Sequence, residues 1–119
     1  MAIWGTGKPL REFLFVEDLA DAILFLMENV EAKDIYEAGI SHLNIGTGKD
    51  ITIKDLSLMI KKAVGFNGKL KFDPTKPDGT PKKLLDVEKL NAMGFEPHIS
   101  LREGIKSTYQ WFLNNEVRK

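Results

Sequence analysis

The sequence of 119 residues contains no cysteine. It can therefore form no disulfide, supply no thiolate ligand to a metal and offer no cysteine nucleophile. A composition free of cysteine is common in cytoplasmic proteins, so cytoplasmic localisation is our expectation. The sequence also lacks an excess of either charge, since 17 lysines and arginines balance 17 aspartates and glutamates. Nucleic acid and anionic membrane surfaces both attract basic proteins, and we expect neither as a partner.

Long hydrophobic runs are absent as well. The longest dense apolar stretch, Ala22 to Met27, is far shorter than the roughly 20 residues of a membrane-spanning helix. The first residues show no basic segment followed by an apolar one, so we predict no signal peptide. With 43% hydrophobic residues, the chain has the composition of an ordinary globular protein, and its length suits one unit. We interpret residues 1–119 as a single lobe.

Local patterns predict alternating strands and helices. Thr52 with Asp55, and Ser100 with Glu103, are capping-box pairs that precede apolar residues at helical spacing. Short branched or aromatic segments predict strands. Prolines and a glycine make regular structure unexpected in 73–83, and 30–41 is interpreted as a polar connection. The predicted class is α/β or α+β, with strands at 12–16, 42–46 and 69–73 and helices at 17–29, 53–64, 86–93 and 101–112.

The tetrapeptide Gly-Thr-Gly-Lys occurs twice, at residues 5–8 and 46–49. A phosphate-binding loop of the Walker type requires G-x-x-x-x-G-K-[ST], and neither copy has that spacing. The dinucleotide fingerprint G-x-G-x-x-G is also absent, and no strand is predicted ahead of the first copy. We interpret both copies as glycine turns at the ends of strands.

Catalytic and metal-binding groupings are equally scarce. His42 and His98 show no spacing typical of metal ligands. Tyr36 and Tyr109 are not followed by lysine four residues later, so the Tyr-x-x-x-Lys pair that transfers protons in short-chain dehydrogenases is missing. No serine lies in a nucleophile-elbow context. The sequence therefore predicts neither a complete active site nor a metal site.

A set of binding residues remains. Trp4 lies beside the first glycine turn, where its indole can cover a base or a sugar ring. Arg11 begins a strand, and its guanidinium is suited to bidentate binding of a diphosphate. Asp78 and Lys83 lie, with Lys82, in the loop stiffened by prolines, and Asp78 can accept hydrogen bonds from ribose hydroxyls or a base edge. The alternative is that these are exposed charges and a core tryptophan.

Longer motifs resemble one family. WGTGKPLREFLFVEDLADAILFLME, HLNIGTGKDITIKDL, KPDGTPKKLLDVEKLNAMGF and TYQWFL resemble the C-terminal part of GDP-L-fucose synthases. These extended short-chain dehydrogenases are also called GDP-4-keto-6-deoxy-D-mannose epimerase/reductases. The motifs REF…VEDLA and NIGTG occur across sugar-nucleotide epimerases and dehydratases, whereas KPDGTPKKLLD with TYQWF is particular to this branch. The resemblance covers nearly the whole chain.

The resemblance implies a GDP-sugar substrate that Trp4, Arg11, Asp78 and Lys83 contact. It also implies an N-terminal Rossmann domain that binds NADP(H) and carries the catalytic residues. That domain is not in this sequence, so we expect no cofactor on this chain and no turnover by it. Two other functions stay open, a free-standing nucleotide-sugar binding or regulatory module and the corresponding lobe of another sugar-nucleotide epimerase or dehydratase. Apolar surface that the absent domain leaves uncovered predicts self-association.

Overall fold

The structure is a computed structural model that describes residues 1–115. Ten short elements follow one another, and helices and strands are mixed along the chain, so the predicted α/β class is confirmed. In chain order they are β1 (Ala2–Trp4), β2 (Leu10–Glu12), α1 (Val16–Asn29), α2 (Ala32–Glu37), β3 (Asp50–Thr52), α3 (Ile53–Ala63), β4 (Lys71–Asp73), β5 (Lys82–Lys83), α4 (Glu88–Ala92) and α5 (Leu101–Asn114).

The strands form two small sheets. Strands β1 and β4 pair in parallel, with Trp4 opposite Asp73. Strand β2 is the middle of the second sheet, antiparallel to β3 and parallel to β5. Only residues 5–9 separate β1 from β2, so this turn joins the two sheets. A backbone hydrogen bond from Lys54 N–H to the Gly7 carbonyl (2.9 Å) attaches the turn to the start of α3.

The long helices form where the sequence predicts them. The Thr52 hydroxyl accepts a hydrogen bond from the Asp55 N–H (3.0 Å) at the start of α3. Ser100 and Glu103 make both bonds of a capping box at the start of α5. Each cap satisfies backbone donors that the first helical turn leaves without partners. The two helices then pack against each other, and the predicted bounds of α1, α3 and α5 are confirmed to within about two residues.

The predicted strands are less accurate. Residues 42–46 form no strand. A strand exists only when a second backbone accepts and donates its hydrogen bonds, which composition does not reveal. The predicted strand at 12–16 is instead β2 at Leu10–Glu12, and Val16 already begins α1. Four elements were not predicted, namely β1 ahead of the first Gly-Thr-Gly-Lys, α2 within 30–41, β3 just after the second Gly-Thr-Gly-Lys and β5 within 73–83.

A small apolar core lies between α1 and α4. Ala22 and Leu90 are completely buried and Phe95 is 5% exposed, and the rings of Phe95 and Phe25 lie 5.7 Å apart. Beside this core, the buried carboxylate of Asp18 accepts hydrogen bonds from the backbone N–H groups of residues 98 and 99, each 3.0 Å long. These charge-assisted bonds tie the first turn of α1 to the segment ahead of α5.

Much apolar surface stays uncovered. The Cα radius of gyration is 17.5 Å, whereas a compact domain of this length has a radius of about 14 Å. Helix α1 exposes a row of apolar residues at spacings of three and four, which are Val16, Leu19, Ile23 and Met27. We refer to this row as the α1 stripe. No helix among residues 1–115 combines the length and apolar character needed to cross a membrane.

We propose that the isolated chain self-associates through the α1 stripe, because burying apolar side chains against a second copy removes them from water. Replacement Ile23→Lys should lower the weight-average mass measured by light scattering at increasing concentration. Leu58→Lys is the matched control, since Leu58 on α3 is 48% exposed and Ile23 is 47% exposed. A wild-type chain that stays monomeric at high concentration would contradict the proposal.

Candidate functional site

The turn at 5–9 and the loop at 74–81 lie side by side for a topological reason. The turn connects β1 to β2, and the loop connects β4 to β5. Strand β1 pairs with β4, and β2 pairs with β5, both in parallel. The turn and the loop therefore begin at neighbouring strand ends and finish at neighbouring strand starts. Backbone hydrogen bonds of 2.9 Å join their ends, from Gly5 to Asp73 and from Leu10 to Pro81. We call this surface the turn–loop site, formed by residues 4–11 and 74–83.

Asp78 connects the middle of the loop to the turn. Its Oδ1 accepts the backbone N–H of Thr6 (2.6 Å), and its Oδ2 accepts the Thr6 hydroxyl (2.7 Å). Gly5 has a φ of +84°, and a Cβ built there would overlap the Asp78 carboxylate. The pKa of Asp78 is held below its ordinary value of 3.8. The largest cause is the hydrogen bond from the Thr6 hydroxyl, followed by that from the Thr6 backbone N–H and by the charge of Lys8. The carboxylate is therefore a structural clamp as well as a candidate ligand.

Trp4 is not a core tryptophan, because 72% of it is exposed. The ammonium of Lys76, from the loop, lies 5.5 Å from the centroid of the indole. This is a cation–π arrangement, worth about 0.5–1 kcal/mol at an exposed position. The indole thus stands at the edge of the turn–loop site as a flat apolar surface with a positive charge beside it.

Arg11 and Lys83 are register partners across β2 and β5. Arg11 is partly buried, and its Nη1 donates to the Leu10 carbonyl at 2.7 Å. Gly79 of the loop lies beside its Nη2, since a Cβ built at Gly79 would be 3.8 Å from that atom. Lys82 has a different environment, because its ammonium lies 3.4 Å from the Asp50 carboxylate. Lys83, not Lys82, is thus the lysine of β5 that lies opposite Arg11 and has no carboxylate partner among the ion pairs of residues 1–115.

The four residues predicted from the sequence thus belong to two adjacent segments of the chain, the turn with β2 and the loop with β5. Asp78 contacts the residue two positions after Trp4, and Lys83 stands opposite Arg11 in the sheet. The arrangement offers two neighbouring cations, an exposed indole and a carboxylate, which suits an anionic ligand with an aromatic ring and hydroxyl groups. The surface is open, and an apolar cavity of about 390 Å³ lies elsewhere, between α3, α5 and residues 13–15.

The second Gly-Thr-Gly-Lys shares part of the hydrogen bonding of the first, although Gly5 has a positive φ and the equivalent Gly46 does not. Here the Glu12 Oε1 accepts the backbone N–H groups of Thr47 (2.5 Å) and Gly48 (2.6 Å). In both copies the threonine hydroxyl also accepts the backbone N–H of the following lysine, at 3.2 Å. Both turns adjoin strands, as predicted. The sequence did not reveal that Thr6 binds Asp78 or that Glu12 binds the second turn. The repeated tetrapeptide was the available signal, because in both copies the threonine binds a distant carboxylate and the N–H of the following lysine.

The histidines take no part in this site. His98 lies edge-on to Phe95, with ring centroids 6.1 Å apart, and His42 lies 3.4 Å from the Ser41 hydroxyl. Within the part of the chain that the structure describes, no group of three or more histidine, cysteine, aspartate or glutamate side chains is placed to hold a metal ion.

Comparison with known proteins confirms the resemblance. Residues 1–46 match the model of the NAD dependent epimerase/dehydratase family. The chain is 50% identical to GDP-L-fucose synthase 1 of Arabidopsis thaliana over 115 residues, which are 97% of this chain and 33% of that protein. It is 48% identical to GDP-L-fucose synthase of Escherichia coli K12, covering 99% of this chain and 37% of the relative. The chain thus spans about a third of the length of the relatives it matches.

Solved structures agree with this similarity. A GDP-6-OMe-4-keto-L-xylo-heptose reductase from Campylobacter jejuni superposes with a TM-score of 0.88 at 43% identity, over 95% of this chain and 33% of that one. A GDP-L-fucose synthetase from Naegleria fowleri bound to NADP gives a TM-score of 0.87 at 30% identity, over 99% of this chain and 36% of that one. The mixed α/β arrangement of the described residues therefore recurs as about a third of these longer chains.

We predict that the contribution of the Asp78 clamp to stability depends on pH. Since the pKa of Asp78 is lowered by folding, this contribution is fully present above the unfolded pKa and is lost as the pH falls through the lower folded pKa. The difference in unfolding free energy between wild type and Asp78→Asn should be constant above about pH 5 and should decrease towards about pH 2. Urea unfolding at several pH values measures it. Asp21→Asn, at an exposed position of α1, should show a much smaller change, and an equal change would contradict the assignment.

Proposed function

We propose that this chain is the GDP-sugar-binding lobe of a GDP-L-fucose synthase, because it is similar to such enzymes over 97–99% of its length and its residues 1–46 match the NAD dependent epimerase/dehydratase family. The whole enzyme would convert GDP-4-keto-6-deoxy-D-mannose to GDP-L-fucose by epimerisation and NADPH-dependent reduction. The observation that supports the proposal most is the turn–loop site, where Lys83 lies in register with Arg11 and Asp78 binds Thr6, two residues after Trp4.

Each residue has a distinct role in this proposal. The Arg11 guanidinium and the Lys83 ammonium bind the diphosphate, since paired cations form charge-assisted hydrogen bonds with phosphate oxygens. The indole of Trp4 covers a ring of the ligand. Asp78 accepts from hydroxyl groups with the lone pairs that its bonds to Thr6 leave available. All four lie on this chain, so the lobe assembles the site with its own contacts.

The cofactor of the proposed enzyme is NADP(H), and the residues of this chain do not fit it. A dinucleotide loop needs free backbone N–H groups at a glycine turn for the pyrophosphate. In the first Gly-Thr-Gly-Lys the N–H of Thr6 already binds Asp78, and in the second the N–H groups of Thr47 and Gly48 already bind Glu12. We therefore place NADP(H) on a Rossmann domain that this chain does not span.

One alternative has support from the same geometry. Since the turn–loop site is built by this chain alone, a free-standing module that binds or senses a nucleotide sugar would use the same four residues. The sugar also stays open, because the names of the structural neighbours include a heptose reductase as well as a fucose synthetase. Both names contain GDP. GDP is therefore the probe for the nucleotide part of the ligand, which the candidate functions have in common.

We predict that the chain binds GDP and that Arg11→Met or Lys83→Met weakens binding by about tenfold or more, because a hydrogen bond to a charged group contributes about 1.5–3 kcal/mol. Isothermal titration calorimetry of the chain with GDP measures both. Lys82→Met is the matched control, since its ammonium faces Asp50 rather than Arg11, and it should leave the Kd unchanged. Equal Kd values for wild type and Arg11→Met would overturn the proposed site.

We also predict that the chain alone oxidises no NADPH when it is given the GDP-keto-sugar. Hydride transfer requires a protein that positions the nicotinamide against the substrate, and the turns of this chain that resemble phosphate loops are occupied by carboxylates. Absorbance at 340 nm, which follows NADPH, should stay constant over hours, with a full-length GDP-L-fucose synthase as the positive control. Steady oxidation by the chain would show that this expectation is wrong.

A further inference from the structure

The proposed GDP-sugar site requires the loop at 74–81 to lie across the turn before a ligand arrives. We propose that Thr6 is the positioning residue that holds it there. Thr6 does this by binding the carboxylate of Asp78 through its backbone N–H and its hydroxyl at once. It touches no ligand itself and acts through Asp78, and this inference rests on the proposed function.

The two Thr6 bonds hold the centre of the loop. Among the hydrogen bonds of residues 1–115, only those between Asp78 and Thr6 attach residues 77–80 to the rest of the chain. The beginning of the loop is held separately, because Thr75 and Lys76 bond to Asp73. Its end is held by the bond from Leu10 to Pro81. Without these two bonds, hydrogen bonds would hold the loop at its two ends alone, and the Thr6 side chain supplies one of the two.

The bonds between Thr6 and Asp78 also position the loop residues that lie beside Trp4 and Arg11. Two positions before Asp78, the Lys76 ammonium lies 5.5 Å from the Trp4 ring. One position after it, Gly79 lies beside the Arg11 guanidinium. A shift of the loop at Asp78 therefore changes the surroundings of both residues together. Ordering these groups before binding lowers the entropy lost on association, which amounts to about 0.5–1.5 kcal/mol for each side chain immobilised.

Threonine or serine is needed at position 6. The hydroxyl donates to Asp78 and accepts from the Lys8 N–H at 3.2 Å. Serine supplies the same donor and acceptor, whereas valine has the shape of threonine without either. Thr47 makes the equivalent bonds in the second Gly-Thr-Gly-Lys, with Glu12 as the acid. Thr47→Val therefore removes the same chemistry at a turn outside the proposed site.

The experiment compares Thr6→Val, Thr6→Ser and Thr47→Val in the 119-residue chain. Backbone ¹⁵N heteronuclear NOE values of Asp78, Gly79 and Thr80 report the order of the loop without any ligand. We expect Thr6→Val to lower these values and to raise the Kd for GDP by about tenfold, from the loss of one hydrogen bond to a charged group. Thr6→Ser should restore both. Thr47→Val should change neither the NOE values nor the Kd. Urea unfolding of this variant measures how much stability the substitution costs.

The outcomes separate the two proposals. Unchanged NOE values in Thr6→Val would overturn the positioning role, whether or not GDP binds. Lowered NOE values with an unchanged Kd would overturn it too. The order that Thr6 gives the loop in the wild type would then make no difference to GDP binding. A wild-type chain that binds no GDP would refute the proposed function and, with it, any role of Thr6 in binding. A Thr47→Val chain as weak for GDP as Thr6→Val would show that lost stability alone is the cause.

Discussion

The carboxylate of Glu12 is the interaction on which the second sheet depends. It lies at the end of β2, the middle strand, and accepts backbone N–H groups from both sides, those of Thr47 and Gly48 ahead of β3 and that of Leu85 (3.0 Å) just after β5. Strands β3 and β5 are three and two residues long, too short to pair stably without further contacts. A Cβ at Gly46 would overlap this carboxylate, so the close approach also requires a glycine. Arg11 lies one residue before Glu12 on the same strand.

Glu12 and Asp78 perform the same task at two copies of one turn. A glycine turn that directs N–H groups towards one point is an anion-binding geometry, which many proteins use for phosphate. In this chain the anion is a carboxylate from a distant part of the sequence, at both turns. The resemblance of Gly-Thr-Gly-Lys to a phosphate loop is therefore real at the level of hydrogen bonding. The ligand is internal, and the result is a fixed contact between segments instead of a nucleotide site.

Sequence reasoning succeeded where the controlling interactions are local. The caps at Thr52 and Ser100 bond to residues three positions away, so both helix starts could be read directly from the sequence. Only the strand predicted at 69–73, which contains β4, was placed correctly. The other strands were displaced or missed because pairing is remote, as at β1, whose partner Lys71–Asp73 lies about 70 residues away. Within the candidate site, Trp4 and Arg11 were recognisable by residue type beside a turn. Thr6 was not, since its significance depends on an acid 72 positions later.

The separation of 72 residues between Thr6 and Asp78 also bears on the order of events during folding. The turn–loop surface cannot exist while the intervening helices α1 and α3 are unformed, because closing so large a loop costs entropy that only later contacts recover. Local helices would form early and the junction of the two sheets late. A ligand that recognises this surface would therefore bind only chains that have completed their folding. By mass action, such a ligand would stabilise the whole arrangement from β1 to β5 rather than one loop.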